Sequence, residues 1–347
     1  MSARALRRGL LLSLGLSIAG VVLLLVVGGG RRALEALFYV EPAWYLAAVA
    51  LIFLAWGLRT WRITVLARAL GHPMPVGRSW TFYLASVFVS HVTPSSSGGL
   101  PALLALIIRD GMPAGRASAL VFLESTLTAL VFAVAAPLLI LVGPVAHLAP
   151  DLRAGLETLV TAFIGVALLL LALLLWPAAL GGAFLRLVVN RPLLRLLGRE
   201  RGARWNRGVR REVRRFTVAM RWMLVRRWPA LLVTVLLSLL YWAVYLAILP
   251  ALMAGLGVRF TWYAPLAVQL LFNLVQPAIP TPGGSGGAEI LFAYLLRGLV
   301  PAELVSPLVL LWRSVTFYLS VAVGGGAAIL TLRPFFSGRR LAGHRVR

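Results

Sequence analysis

The chain of 347 residues has no cysteine, no lysine and only ten acidic residues. Without cysteine there are no disulfides, no thiol chemistry and no thiolate-ligated metal. Four histidines (His72, His91, His147 and His344) share no ligand spacing, so no metal and no other cofactor is expected. Charged residues make up 13% of the chain and hydrophobic residues 61%, and the mean hydropathy is +0.92. A soluble domain is nearer half apolar and a quarter charged, so a sizeable water-soluble domain is excluded. The composition is that of a polytopic, all-α membrane protein.

What is abundant is arginine. The basic excess gives a formal charge of +24. The arginines flank apolar runs instead of forming a groove-binding module, so nucleic acid is not an expected partner. Orientation in the membrane and attraction to anionic lipid account for them. The first apolar run, 9–27, follows Arg4, Arg7 and Arg8 and is read as a retained helix, being long for a signal-peptide core. Further spans are predicted at 43–65, 117–142, 156–176, 228–249 and 304–330, each long enough for about 30 Å of hydrocarbon.

Two apolar stretches, 79–108 and 261–296, are broken by small polar runs. These are Thr93-Pro94-Ser95-Ser96-Ser97-Gly98-Gly99 and Thr281-Pro282-Gly283-Gly284-Ser285-Gly286-Gly287. The apolar pieces after them, 100–108 and 288–296, are too short to span alone. Each stretch is therefore predicted to be a re-entrant hairpin broken near the midplane, where irregular backbone survives only inside protein or beside a wet cavity. Six crossings and two hairpins put the N- and C-termini, 66–78, 109–116 and 178–227 in the cytoplasm. Residues 186–227 alone hold fourteen Arg and two Glu, in keeping with the positive-inside rule. The 178–227 segment is predicted to be an Arg-rich linker with an interfacial helix.

The two breaks are copies. Sliding the chain by 188 residues aligns them without a gap, and 15 of the 36 pairs from Thr93 to Thr128 are identical. The whole of 1–347 reads as one integral membrane domain with pseudo-repeat halves at about 43–142 and 228–330. Three spans separate the copies, so the hairpins enter from opposite sides. Opposed, broken hairpins are the signature of an alternating-access transporter.

In each copy a half-helix starts at the glycine pair, its first amides carrying the positive end of the helix dipole. Gly98, Gly99, Gly283, Gly284, Gly286 and Gly287 let a ligand approach the backbone, and Thr93, Ser95, Ser96, Ser97, Thr281 and Ser285 add hydroxyls. Two facing termini would suit a phosphate or carboxylate; the same hydroxyls could instead only cap the helices. Ionisable residues in apolar surroundings are functional candidates by default. Glu289 follows the second break, Glu124 and Arg313 lie within spans, and Arg59 and Arg62 lie near the end of one. Arg109 and Arg297 close the two half-helices. Glu124 or Glu289 could pair with Arg313, as a structural lock or as part of the mechanism.

The run Thr281-Pro-Gly-Gly-x-Gly-x-x-Glu289, with Tyr294-Leu295-Leu296-Arg297 and Leu311-Trp312-Arg313, resembles the lysylphosphatidylglycerol synthase transmembrane-region family. Leu58-Arg59-Thr60-Trp61-Arg62 and Ala69-Leu70-Gly71 are similar to its early basic-aromatic motif. The first copy differs from the family pattern at Pro101, Ser125 and Thr128. The resemblance implies a flippase-like inner-membrane protein that moves aminoacylated or other anionic phospholipids, hopanoids or glycolipids between leaflets. No soluble aminoacyl transferase domain is expected in this chain, so the resemblance implies a transporter and not an enzyme. Two other readings stay open, a membrane partner of a lipid-modifying enzyme and an embedded lipid-phosphate enzyme. The sequence does not define the oligomeric state.

Overall fold

The computed structural model describes residues 40–142, 150–188 and 199–336, with 11, 12, 15, 17–20 and 35 near the N-terminus. Among these residues the regular structure is helical, and β-pairing is confined to isolated bridges. Helix α1 covers Pro42–Ala69, α2 Val76–His91 and α3 Gly99–Arg109. Then come α4 (Ala114–Val142), α5 (Pro150–Leu175), α6 (Pro177–Val188) and α7 (Arg199–Val225). The C-terminal part has α8 (Trp228–Leu246), α9 (Ile248–Gly255), α10 (Tyr263–Val275), α11 (Gly287–Leu296), α12 (Ala302–Arg313) and α13 (Leu319–Phe336). A π-helical turn, Ser314–Tyr318, joins the last two.

Among the described residues four helical stretches are long and apolar enough to cross a membrane: Pro42–Ala69, Ala114–Ala135, Trp228–Gly255 and Ala302–Thr331. In lipid every backbone amide must find its partner within the segment, which is what makes such runs helical. The protein is a polytopic all-α membrane protein. The predicted spans 43–65, 117–142, 228–249 and 304–330 fall on these helices. The predicted span 9–27 lies mostly outside the described residues.

The span predicted at 156–176 falls on α5, Pro150–Leu175. α5 stops at Leu175, and Val160–Leu175 with Pro177–Val188 forms a pair bent by 101°. The Trp176-Pro177 step is the cause: proline disfavours the helical conformation in the residue before it, yet fits the first position of a new helix. Within the segment 178–227, α7 is the arginine-rich helix, whereas 177–188 is apolar and continues from α5. Residues 189–198 lie outside the description. α7 buries Phe216, Ala219, Met220 and Met223 on one face and exposes Arg211, Arg214, Arg215 and Arg221 on the other.

By their contacts the described residues form two compact units. One draws on Met1–Gly57, Val76–Leu103 and Val244–Arg347, the other on Leu58–Pro75 and Leu104–Ala243. Each therefore takes segments from both sequence halves, 43–142 and 228–330. In the first unit α2 lies along α13, and a Cβ at Gly324 would come 2.7 Å from Leu84 O and 3.1 Å from Phe88 Cβ. Lipid tails are as apolar as leucine, so close backbone packing at small residues holds membrane helices together where the hydrophobic effect cannot. In the same unit Phe272 of α10, Phe292 of α11 and Trp312 of α12 form a buried cluster; Phe292 stacks on Trp312 with centroids 4.0 Å apart. That cluster fixes α11 against α12.

In the second unit α7 crosses α4 at Gly115, whose amide donates to Glu212 Oε2 at 2.9 Å. A Cβ there would come 2.8 Å from Phe216 N. Phe122 meets Phe216 edge-on at 5.9 Å. Gly181 of α6 seats against Val213 of α7 in the same way.

Candidate functional site

The two broken segments close into turns with the same backbone wiring. In the first, Ser96 N–H donates to Thr93 O (3.2 Å) and Ser97 N–H to Pro94 O (3.0 Å). In the second, Gly284 N–H donates to Thr281 O (3.0 Å) and Ser285 N–H to Pro282 O (3.1 Å). Every donor and acceptor is displaced by 188 residues. The central pair is left-handed in both: φ is 53° at Ser95 and Ser96, 61° at Gly283 and 72° at Gly284. A left-handed conformation costs an L-residue about 1–2 kcal/mol and glycine nothing of that kind. After each turn comes a short apolar helix, α3 or α11.

The turns touch. An antiparallel bridge pairs Pro94 with Pro282, and Gly283 N–H donates to Thr93 O at 3.3 Å. A Cβ on Gly283 would come 2.7 Å from His91 O and from Phe317 Cε2, so glycine is required there on contact grounds as well.

Most of the predicted ligand hydroxyls are committed to these turns. Thr93 Oγ1 accepts Gly98 N–H (2.9 Å) and donates to Val89 O (2.8 Å). Ser97 Oγ donates to Pro94 O, and Thr281 Oγ1 to Ser285 O, both at 2.8 Å. The Ser96 carbonyl accepts from Ser90 Oγ at 2.9 Å, and Ser95 Oγ lies 3.5 Å from Ile279 O. Ser285 differs. Its Oγ is buried and has no hydrogen-bond partner among the described residues. A buried hydroxyl left without a partner costs about 1–3 kcal/mol.

Glu289 lies in the first turn of α11 and is fully buried. Gly286, at φ 84°, heads that helix and donates its N–H to Glu289 Oε2 at 2.7 Å. The positive end predicted to await an external anion is thus closed by the chain's own carboxylate. Oε1 accepts from Ser17 Oγ (2.5 Å) and Arg313 Nε (2.9 Å), with Arg313 Nη2 at 2.8 Å. Ser17 Oγ is also 3.0 Å from Tyr318 OH. Arg313 is only 2% exposed; its Cζ stands 4.6 Å from the Phe317 ring centroid and 5.8 Å from that of Trp312. The π turn directly after Arg313 inserts an extra residue per turn and is a feature that concentrates at functional sites.

Of the two partners considered for Arg313, the structure chooses Glu289. Glu124 pairs instead with Arg59 Nε (2.7 Å) and Arg62 Nη2 (2.5 Å). Both arginines come from α1, one α-helical turn apart, so one carboxylate on α4 meets them together. Arg62 also donates to Ser238 Oγ at 2.7 Å, and the Arg59 guanidinium lies 5.6 Å from the Tyr241 ring centroid. Glu124 Oε2 is buried with no hydrogen-bond partner among the described residues.

Arg109 and Arg297 are not part of either cluster. Both are exposed at the ends of their short helices, and Arg297 lies over the Tyr294 ring at 5.7 Å. His91 Nδ1 donates to Val87 O at 2.8 Å and its ring packs on Phe317. Sequence reasoning missed Ser17, Tyr318, Ser238 and Tyr241. Ser17 carried a faint signal as one of two serines, with Ser13, in the apolar run 9–27; the others look like ordinary span residues.

The turn pair, its buried carboxylate and the Arg59–Arg62 motif lie inside one continuous match, over residues 10–324, to the family model described as the lysylphosphatidylglycerol synthase TM region. The chain belongs to that family. A UPF0104 membrane protein of Archaeoglobus fulgidus is also similar, 26% identical over 283 residues, which is 81% of this chain and 85% of that protein. Membership in the lysylphosphatidylglycerol synthase TM-region family gives the protein a lipid-related role in the membrane.

Proposed function

We propose that the protein translocates an anionic or aminoacylated lipid between leaflets of the inner membrane, by alternating access to the paired turns, with both termini cytoplasmic. The observation that carries the reading is the meeting of two turns of identical wiring, each heading a helix too short to span. Broken helices that meet this way line substrate sites in transporters, because non-helical backbone in a membrane needs protein or a wet cavity around it. In this reading α2–α3 and α10–α11 are opposed re-entrant hairpins of an inverted repeat. Ser285 supplies a hydroxyl to the head group, and Glu289 exchanges Arg313 for the substrate or for a proton. Glu124, held by Arg59 and Arg62, locks the neighbouring helices, and its Oε2, without a partner among the described residues, gives it a second acceptor position. Aminoacylated phosphatidylglycerol, hopanoids and glycolipids are the candidate cargoes.

Reconstitution of the full chain into liposomes with fluorescent phosphatidylglycerol, its lysyl ester and a glycolipid tests this by loss of leaflet asymmetry. Transfer should fall at least tenfold in Glu289→Gln. It should fall about two- to tenfold in Ser285→Ala, the worth of one hydrogen bond. Product formation without movement would make the protein an enzyme. Neither outcome would leave it a partner of a lipid-modifying enzyme.

A further inference from the structure

On the second unit, α7 carries a stripe of arginines toward the end of α1 and the start of α4. Arg211, Arg214, Arg215 and Arg227 join Arg68 and Arg116 around a cavity of about 670 Å³. This falls within the roughly 300–1,000 Å³ of small-molecule sites. All six are exposed. Glu212 Oε1 accepts from Arg215 Nη1 at 2.7 Å and lies 3.6 Å from Arg211 Nε, and the described lining of the cavity itself holds no carboxylate. Glu212 Oε2 is already taken by the amide of Gly115.

Six guanidinium groups around one cavity repel each other, and a single acid shared by two of them relieves little of that. Gly71, at φ +77°, forms part of the wall, and a Cβ there would come 3.3 Å from Arg116 Nη1. Trp222 lies at one side with the Arg227 guanidinium 5.8 Å from its ring centroid. An exposed tryptophan beside arginines suits the membrane–water boundary, where its ring is half wetted. Arginine forks bind phosphate oxygens two at a time, and a single phosphate can engage two or three of them. Six imply more than one phosphate.

We infer that this cavity is a binding site for a ligand carrying two phosphates, distinct from the translocation site and independent of its assignment. The shared chemistry is a pair of phosphates in reach of Arg68, Arg116, Arg211, Arg214, Arg215 and Arg227. Its source is a diphosphate-bearing lipid headgroup or a soluble diphosphate.

The test uses the purified full chain in neutral detergent, with bound lipid quantified by native mass spectrometry. Cardiolipin, with two phosphates, should be retained at least tenfold over phosphatidylglycerol, with one, and retention should fall with added salt. Arg214→Gln with Arg227→Gln should abolish that preference. Arg201→Gln with Arg207→Gln, an equal charge loss on the same helix outside the cavity, should preserve it. Inorganic pyrophosphate that displaces cardiolipin in the micromolar range identifies a soluble ligand as the source; failure to displace identifies the lipid. Equal retention of the two lipids by the unaltered protein would overturn the inference, and so would equal effects of the two double variants. The comparison of lipids needs no variant, so a folding defect leaves it intact.

Discussion

The buried Glu289–Arg313 pair allows the most demanding test of the packing. Arg313→Met removes two contacts at 2.9 and 2.8 Å but leaves Glu289 the Ser17 hydroxyl and the Gly286 amide. Breaking a buried pair from one side costs about 3–5 kcal/mol, and with two donors retained this variant should sit near the lower figure. Glu289→Ala is worse. It strands a guanidinium that is 2% exposed, and it removes the acceptor that closes α11. The loss should reach about 5 kcal/mol from the stranded charge and about 1 more from the cap. The double variant leaves neither charge behind, so its loss should fall short of the sum by about 2–3 kcal/mol. Unfolding free energies from titration of mild detergent with SDS give all four corners of the cycle. Single losses under about 1 kcal/mol, or strict additivity, would refute the claim that a desolvated pair organises the turn.

Other consequences are smaller and equally measurable. Ser285→Ala should change unfolding free energy by less than about 0.5 kcal/mol while lowering lipid transfer, because its hydroxyl has no hydrogen-bond partner among the described residues. Ser96→Gly should stabilise by up to about 1 kcal/mol in the same titration, since it relieves a left-handed serine at φ 53°. Gly324→Leu should cost about 1–3 kcal/mol or more, because its Cβ meets Leu84 O at 2.7 Å. Glu124→Gln should destabilise by about 3 kcal/mol, because Arg62 is fully buried. Arg59→Gln should cost under about 1 kcal/mol, because Arg59 is 24% exposed and partly solvated.

Local punctuation made much of the fold legible. The short helices expected at 100–108 and 288–296 form as Gly99–Arg109 and Gly287–Leu296, because proline and glycine fix helix ends within a residue or so. The repeat was visible because the same side chains recur at one spacing, and the matched left-handed pairs follow from it. The Trp176 bend was also written in the sequence, as a residue followed by proline, but an uninterrupted apolar run hid it. Partner choice was not legible. Glu124 meets Arg59 and Arg62, 65 and 62 positions away, and Glu289 meets Ser17, 272 positions away. Such pairings depend on which helix faces which, and an apolar periodicity of Leu, Ala and Val all round a span does not encode that. For the same reason the letters alone do not separate a serine that closes its own turn from one that waits for a guest.

The absence of cysteine makes the central claim directly measurable by site-directed thiol labelling. Ser97→Cys places a single thiol at the exposed edge of the first turn. A small membrane-impermeant thiol reagent is then applied to right-side-out and inverted vesicles, with and without added anionic lipid. If the paired turns form an alternately opened lipid pathway, labelling proceeds from both faces and slows when the lipid is present. Labelling from one face alone, at the rate of a free thiol in water and indifferent to lipid, would contradict it.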